Sequence, residues 1–298
     1  MPQSIINAKP KEKHDVLLVS ASYDKTASFH KGTAEGPKKI VECLNTQIEF
    51  FDRRYKVESP AFIKVAHKDI SGLKTMKPEA AHKAVVEACS DSNADFVFLL
   101  GGEHSMSFGA LKALAKKHNP KDVTIFQIDA HCDLRKDDSD YNDTDPTEYA
   151  HSAVMRRAHE MGYNLVQVGI RAFSKDEHDY FTTNKNIKAF QWGTEKVPSI
   201  AEVLKAIKTK KVYISIDVDG FDPAYMPGTG TPVQGGLEWY YGLKLLETII
   251  EKKQMVGADI VEVSPVDDDV LTEYGAAQIV YNMINTFYKD RLVKGKKK

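Results

Sequence analysis

Val123-Thr124-Ile125-Phe126-Gln127-Ile128 runs straight into Asp129-Ala130-His131-Cys132-Asp133, and the reading of this stretch decides the fold. Six residues dominated by branched and aromatic side chains have the length of a strand. Without a polar face, such a strand belongs in a sheet covered on both sides. The polar cluster that follows sits where open α/β sheets present their chemistry, beyond the carboxyl end of a strand. Working outward, similar apolar runs occur at Asp15 to Ser20, Phe96 to Leu100, Leu165 to Ile170, Val212 to Ile216 and Met255 to Val263. Segments of helical period separate them at Gly36 to Leu44, Pro78 to Ser90, Ser107 to Lys117, Ala201 to Lys208, Trp239 to Lys252 and Ala276 to Tyr288. This alternation predicts an α/β fold, a mostly parallel sheet with helices on both faces. The Gly36-Pro37 pair fits a helix start, where the missing proline amide hydrogen is not needed.

The chain has 298 residues, 28% of them charged and 42% hydrophobic, and a formal net charge of -1. That composition describes a globular protein with a sizeable core, and no linker-like segment divides it, so residues 1–298 are read as a single domain. The only basic run, Lys294, Lys296, Lys297 and Lys298, reads as a solvated tail, and no nucleic-acid partner is expected. Met1 to Lys13 has no apolar leader-like stretch and no segment is long enough to span a membrane, which predicts a cytoplasmic protein without a membrane partner. Three cysteines at wide spacing, Cys43, Cys89 and Cys132, give neither a disulfide framework nor a thiolate metal site.

In Asp129-Ala130-His131-Cys132-Asp133 three potential ligands occupy alternate positions, and an extended backbone aims alternate side chains at one side. The strand Val212 to Ile216 ends the same way, in Asp217-Val218-Asp219-Gly220, and Leu99-Leu100 leads into Gly101-Gly102-Glu103-His104-Ser105. A single aspartate after a strand is most often a turn or a helix cap. Repetition of acidic and histidine groups at three strand ends argues for a shared site. Four aspartates crowded together repel one another unless cations compensate, and two divalent ions balance their formal charge. Oxygen-rich ligation with two imidazoles and no thiolate favours manganese over structural zinc, with cobalt, nickel and iron also compatible. Two such ions roughly 3.5 to 4 Å apart share a water and turn it into hydroxide near neutral pH. A side-chain nucleophile is then unnecessary, and Cys132 reads as a small packed residue.

These motifs resemble those of the ureohydrolases, the family of arginase, agmatinase and formiminoglutamase. The resemblance extends over Tyr23-Asp24, Gly32, Gly36-Pro37, the Gly101 to Ser105 and Asp129 to Asp133 motifs, and Ser215 to Pro223. It continues through Pro227-Gly228-Thr229-Gly230-Thr231-Pro232, Gly235-Gly236-Leu237 and Glu262-Val263-Ser264-Pro265. It implies a three-layer α-β-α fold, two Mn2+ ions, a small guanidino substrate and a homo-oligomer, trimer or hexamer. The implied metal ligands are His104, Asp129, His131, Asp133, Asp217 and Asp219. Glu262 corresponds to the carboxylate that binds the guanidinium, a role suited to bidentate charge-assisted pairing. His151 corresponds to a proton-shuttle histidine and substrate contact. Gly228, Val261 to Pro265 and Arg135, which stands where arginases carry a substrate-binding Asn, are agmatinase-like. His151-Ser152 departs from the His-Gly of many relatives.

The resulting expectation is hydrolysis of agmatine to putrescine and urea, a step of polyamine biosynthesis, by a metal-bridging hydroxide, with Glu262 holding the guanidinium. Asp133 passes a proton to the departing amine and His151 relays protons to solvent. The alternatives are another guanidino substrate (arginine, guanidinobutyrate or formiminoglutamate) and a catalytically silent metal-binding relative. The loops at Lys136 to Tyr149 and Ala172 to Asp179 are the expected determinants of substrate choice.

Overall fold

A computed structural model describes residues 4–90, 93–194 and 196–295 of the chain; Met1 and the basic run Lys296, Lys297 and Lys298 lie outside them. The strands are β1 Ile6–Ala8, β2 Val16–Ala21, β3 Phe51–Asp52, β4 Val57–Glu58, β5 Val65–Asp69, β6 Phe96–Gly101, β7 Val123–Ile128, β8 Asn164–Ile170, β9 Ile187–Gln191, β10 Lys211–Asp217 and β11 Gln254–Val261. The helices are α1 Gly36–Thr46, α2 Pro78–Ser90, α3 Met106–Ala115, α4 Val154–Glu160, α5 Lys175–Thr183, α6 Ile200–Ala206, α7 Trp239–Lys252, α8 Leu271–Phe287 and α9 Lys289–Gly295. Among the described residues, nine strands form one sheet in the order β1-β5-β2-β6-β11-β10-β7-β8-β9, and β3 and β4 form a separate antiparallel pair. Every pairing within the large sheet is parallel.

Side chains of the central strands alternate between two apolar cores. On β7, Phe126 and Ile128 join the core beneath α1, α6, α7 and α8, while Val123 and Ile125 join the one beneath α2, α3, α4 and α5. Burial on both sides is why these strands read as continuous apolar runs. The expected six strands and six helices are all present, with ends shifted by a few residues. The strands not anticipated are β1 and β9 at the sheet edges, β5 beside one edge, and the short β3–β4 pair. Near an edge the second face is only partly covered, so Val65-Ala66-His67-Lys68-Asp69 and Ile187-Lys188-Ala189-Phe190-Gln191 never form an apolar run. Among the described residues, no helix is long and apolar enough to cross a membrane.

Register is what positions the site. Leu100, Ile260, Ile216 and Ile128 lie in one row across β6, β11, β10 and β7. The chain moves from β6 to β7 across a gap that β10 and β11 later fill, a topological switch point where α/β sheets open a crevice. The segments leaving these four neighbouring strands carry His104, Glu262, Asp217 and Asp129 respectively.

Candidate metal centre

Asp129 is the hinge of the cluster. One carboxylate oxygen, Oδ2, lies 3.1 Å from His104 Nδ1, and the other, Oδ1, lies 3.7 Å from His131 Nδ1. His104 Nδ1 is also 3.0 Å from Asp133 Oδ2 and 3.5 Å from Asp217 Oδ2, whereas His131 Nδ1 is 3.1 Å from Asp219 Oδ2. Two candidate ligand groups result, His104-Asp129-Asp217 and Asp129-His131-Asp219; within each, ligand atoms lie within 4.8 Å of one another. All six residues expected as ligands converge, with Asp133 joining through His104. His104, Asp129, Asp133, Asp217 and Asp219 are buried, the His131 side chain is 30% exposed, and His131, Asp133 and Asp217 line the cavity.

The two acidic motifs reach this arrangement by different backbone routes. After β7 the chain stays extended, with His131 pairing Ala172 as an isolated parallel bridge, until Asp133 takes a left-handed φ of 52° and swings back towards His104. After β10 the chain does not stay extended as the alternate spacing had implied. Asp217 caps a short 3-10 turn, Val218–Gly220, by accepting the Asp219 amide at 2.9 Å. The turn packs so tightly on β7 that a Cβ at Gly220 would lie 2.5 Å from the Asp129 nitrogen. Asp219 then accepts the Ala130 amide at 3.0 Å.

Polar residues of the strands hold the ligands, and sequence reasoning did not single them out. Ser215 Oγ donates to Asp259 Oδ1 at 2.7 Å, so the 2.9 Å contact between Ser215 Oγ and His104 Nε2 requires the imidazole to donate from Nε2. With Nε2 committed as a donor, His104 Nδ1 faces three carboxylates; in the neutral ring this sets acceptors against acceptors, an arrangement that suits a cation. Gln127 Nε2 donates to Asp129 Oδ2 at 2.6 Å, and Gln167 supports Gln127. The available signal was a polar residue interrupting an apolar strand two positions before its ligand, as Gln127 precedes Asp129 and Ser215 precedes Asp217.

Without cations the cluster balances charge by binding protons. Burial, with Asp129 beside it, pushes Asp133 up to about 6, and burial with Asp219 and Asp129 pushes Asp217 well above the carboxylate range. Burial alone would push His104 and His131 down, but the surrounding carboxylates outweigh it and hold both well above the ordinary imidazole value. Asp129 goes the other way: burial opposes its ionisation, yet the two imidazoles hold it far below the usual range. Two divalent ions would supply the same compensation with every carboxylate ionised.

Glu262 and His151 meet at the edge of this cluster. Glu262 follows β11 with a left-handed φ of 63°, and its Oε1 accepts the His104 amide at 2.8 Å and lies 3.4 Å from His151 Nδ1. Burial works against a charge on His151, but Glu262, Glu103 and Asp133 outweigh it and raise the imidazole to about 9. In the metal-free protein it is therefore a cation at neutral pH rather than the half-protonated group its ordinary value implied. Ser152, the residue that departs from His-Gly, bonds through Oγ to the Tyr141 hydroxyl at 2.8 Å.

A cavity of about 360 Å³ opens over the cluster, its outer wall formed by Ser28, Arg135, Tyr141, Phe173 and Glu177. Glu177 accepts the Leu134 and Ser174 amides at 3.0 and 2.8 Å, so the second of the two segments expected to control substrate choice is tied to the chain just ahead of the first. The segment Ala172 to Asp179 is only partly a loop: from Lys175 onward it is helix α5, started by a capping box of Ser174 and Glu177. Arg135 pairs with Asp140 and lies 3.8 Å from Glu177. Cys132 is fully buried beside Glu177, and burial together with that carboxylate pushes its thiol far up, so it packs rather than reacts.

A sequence profile described as the arginase family matches residues 14–285. The chain belongs to the arginase family. A curated member, the N(1)-aminopropylagmatine ureohydrolase of Synechocystis sp., is 34% identical over 286 residues, covering 90% of this chain and 88% of its own. The agmatinase of Pyrococcus horikoshii is 30% identical over 274 residues, covering 91% of each chain. Among solved structures, the agmatine ureohydrolase of Thermoplasma volcanium superposes with a TM-score of 0.81 at 27% identity, covering 99% of this chain and 97% of that one. The protein is thus an arginase-family ureohydrolase with the three-layer arginase-like fold.

Proposed function

We propose that this ureohydrolase converts agmatine to putrescine and urea. The observation that carries the proposal is the double reach of Asp129, one oxygen towards His104 and the other towards His131, which links two ligand groups of five residues, with Asp133 joining the first through His104. His104, Asp129 and Asp217, with Asp133 beside them, would hold one divalent cation, and Asp129, His131 and Asp219 the other; the oxygen-rich set favours Mn2+. When bound, such ions would supply an acidified water as the nucleophile and would offset developing negative charge.

The chain's own residues supply the rest. Glu262 uses Oε1 for the His104 amide and retains lone pairs that accept guanidinium N–H groups. An alkylamide is a prohibitively poor leaving group, so the departing nitrogen must be protonated. Asp133, which lines the cavity beside the cluster, carries that proton, and His151, also on the cavity wall, exchanges protons with solvent. Arg135 on the cavity wall is met by Asp140 and Glu177 and so is not left to pair with a substrate carboxylate. The loop over residues 136–149 holds six acidic residues against one lysine, which suits a substrate with an amine at its far end.

A second reading, agmatine extended by an aminopropyl group, is favoured by the name of the 34% identical relative. Urea release from agmatine, aminopropylagmatine, arginine and guanidinobutyrate by manganese-loaded protein tests both. Agmatine is expected to exceed arginine in kcat/KM by at least about a hundredfold, roughly 2.7 kcal/mol. Preference for arginine or guanidinobutyrate would overturn the substrate class, and no urea from any of them with two ions bound would point to a silent relative. Cytoplasmic location and a trimeric or hexameric assembly belong to the same reading, the latter open to sedimentation.

A further inference from the structure

Glu103 is a wholly buried carboxylate in the motif Gly101-Gly102-Glu103-His104-Ser105, next in sequence to a ligand, yet it points into neither ligand group. Both of its oxygens are engaged in another direction. Oε2 takes the Thr26 amide at 2.9 Å, and Oε1 takes the Thr26 and Ser105 hydroxyls, the latter at 2.8 Å. Because Thr26 gives its hydroxyl proton to Glu103, its Oγ1 lone pair is free to accept, and it accepts the His151 amide at 3.1 Å. His151 opens the 3-10 turn His151–Ala153, and a backbone N–H at the start of such a turn has no partner within it. Thr26 Oγ1 provides that partner.

We propose that Thr26 and Glu103 are positioning residues for His151, which fix its backbone so that its ring meets Glu262. This rests on the proposed role of His151 in turnover. The chemistry of the pair is specific. A glutamine at position 103 would turn an NH2 group towards either the Thr26 amide, a donor against a donor, or the Thr26 hydroxyl, which would then have to rotate its proton away. A serine at position 26 keeps every one of these bonds, and a valine of similar shape keeps none of those made by the hydroxyl. The strand end is clamped against the same segment from the other side: the Glu103 amide donates to the Tyr23 carbonyl at 2.8 Å. Ser28, two residues beyond Thr26, lines the cavity, so the segment that carries Thr26 is itself part of the wall.

The test is a double-mutant cycle on full-length, manganese-loaded protein, with metal content and thermal midpoint recorded for each variant. Thr26→Val is expected to lower kcat/KM for agmatine about tenfold, the scale of one lost buried hydrogen bond, and Thr26→Ser to retain most of it. In a His151→Asn background, Thr26→Val is expected to change kcat/KM by less than about twofold, because there is no imidazole left to position. Histidine-labelled NMR gives a readout independent of turnover: the His151 ring resonances move in Thr26→Val and stay in place in Thr26→Ser. A full tenfold loss in both backgrounds, no recovery with serine, or unmoved His151 resonances would overturn the positioning role while leaving His151 itself intact. If His151→Asn alone turned over agmatine like the parent, both the role of His151 and its positioning pair would fall.

Discussion

Chelation should make this protein more stable in mild acid than in mild base, and the size of the effect follows from the buried cluster. The perturbation is removal of divalent cations followed by thermal unfolding at intervals from pH 5.5 to 9. His151 is raised from an ordinary 6.5 to about 9, with burial opposing and Glu262, Glu103 and Asp133 prevailing. A raised folded value means stability that is fully present below pH 6.5 and lost as pH climbs through 9, roughly 3 kcal/mol for this one group. His104 and His131 are raised as well and act with the same sign. Asp133, raised to about 6, and Asp217, raised further, are carboxyls that fold more readily when protonated, so they too disfavour the folded state as pH rises. Asp129 is depressed and acts with the opposite sign, but only below the ordinary carboxylate range, outside the window. The chelated protein should therefore lose at least about 3 kcal/mol between pH 5.5 and 9, a fall in midpoint on the order of 5 °C or more. Protein reloaded with manganese should show a much shallower slope, and the stabilisation by metal should grow with pH because the ligands bind it deprotonated. A chelated midpoint that stayed level or rose across this window would refute the reasoning.

Ser215→Ala removes the acceptor that holds the His104 tautomer, and chelator competition should find metal affinity lowered about 10- to 100-fold. Unchanged affinity would mean that the Ser215–Asp259 pair does not orient the ligand. Glu262→Gln preserves shape but not charge, and steady-state kinetics should show kcat/KM reduced at least about a hundredfold with metal content intact. Parent-like turnover would remove Glu262 from the guanidinium site. Gly102→Ala would place a Cβ 2.0 Å from the Tyr23 carbonyl oxygen, a clash with backbone that cannot be relieved locally. Denaturant unfolding should show a loss above about 4 kcal/mol, or no folded protein at all; a loss under about 1 kcal/mol would show that the approach relaxes readily.

The central strands were legible because burial on both faces leaves a physical trace in the chain, a run such as Val123-Thr124-Ile125-Phe126-Gln127-Ile128 that no half-exposed element can afford. The same holds for the ligands, since Asp129, His131, Asp133, Asp217 and Asp219 stand directly behind such runs. Helices α4 and α5 were missed because their exposed faces carry charges, Arg156 and Glu160 in one and Lys175 and Asp179 in the other, which hide a narrow apolar side within a short segment.

What the sequence determined alone was local: which segments are strands, and which polar groups wait at their ends. It could not decide that β10 and β11 insert between β6 and β7, although that strand order brings His104, Glu262, Asp217 and Asp129 side by side. Nor could it decide that Asp133 and Glu262 adopt left-handed backbone conformations, or that Asp219 is turned into place by a 3-10 turn. Strand order and register are fixed by packing between residues far apart in the chain, whereas apolar period and ligand spacing are fixed by neighbours. Thr26, Glu103 and His151 depend on the same distinction, since their meeting follows from no spacing at all.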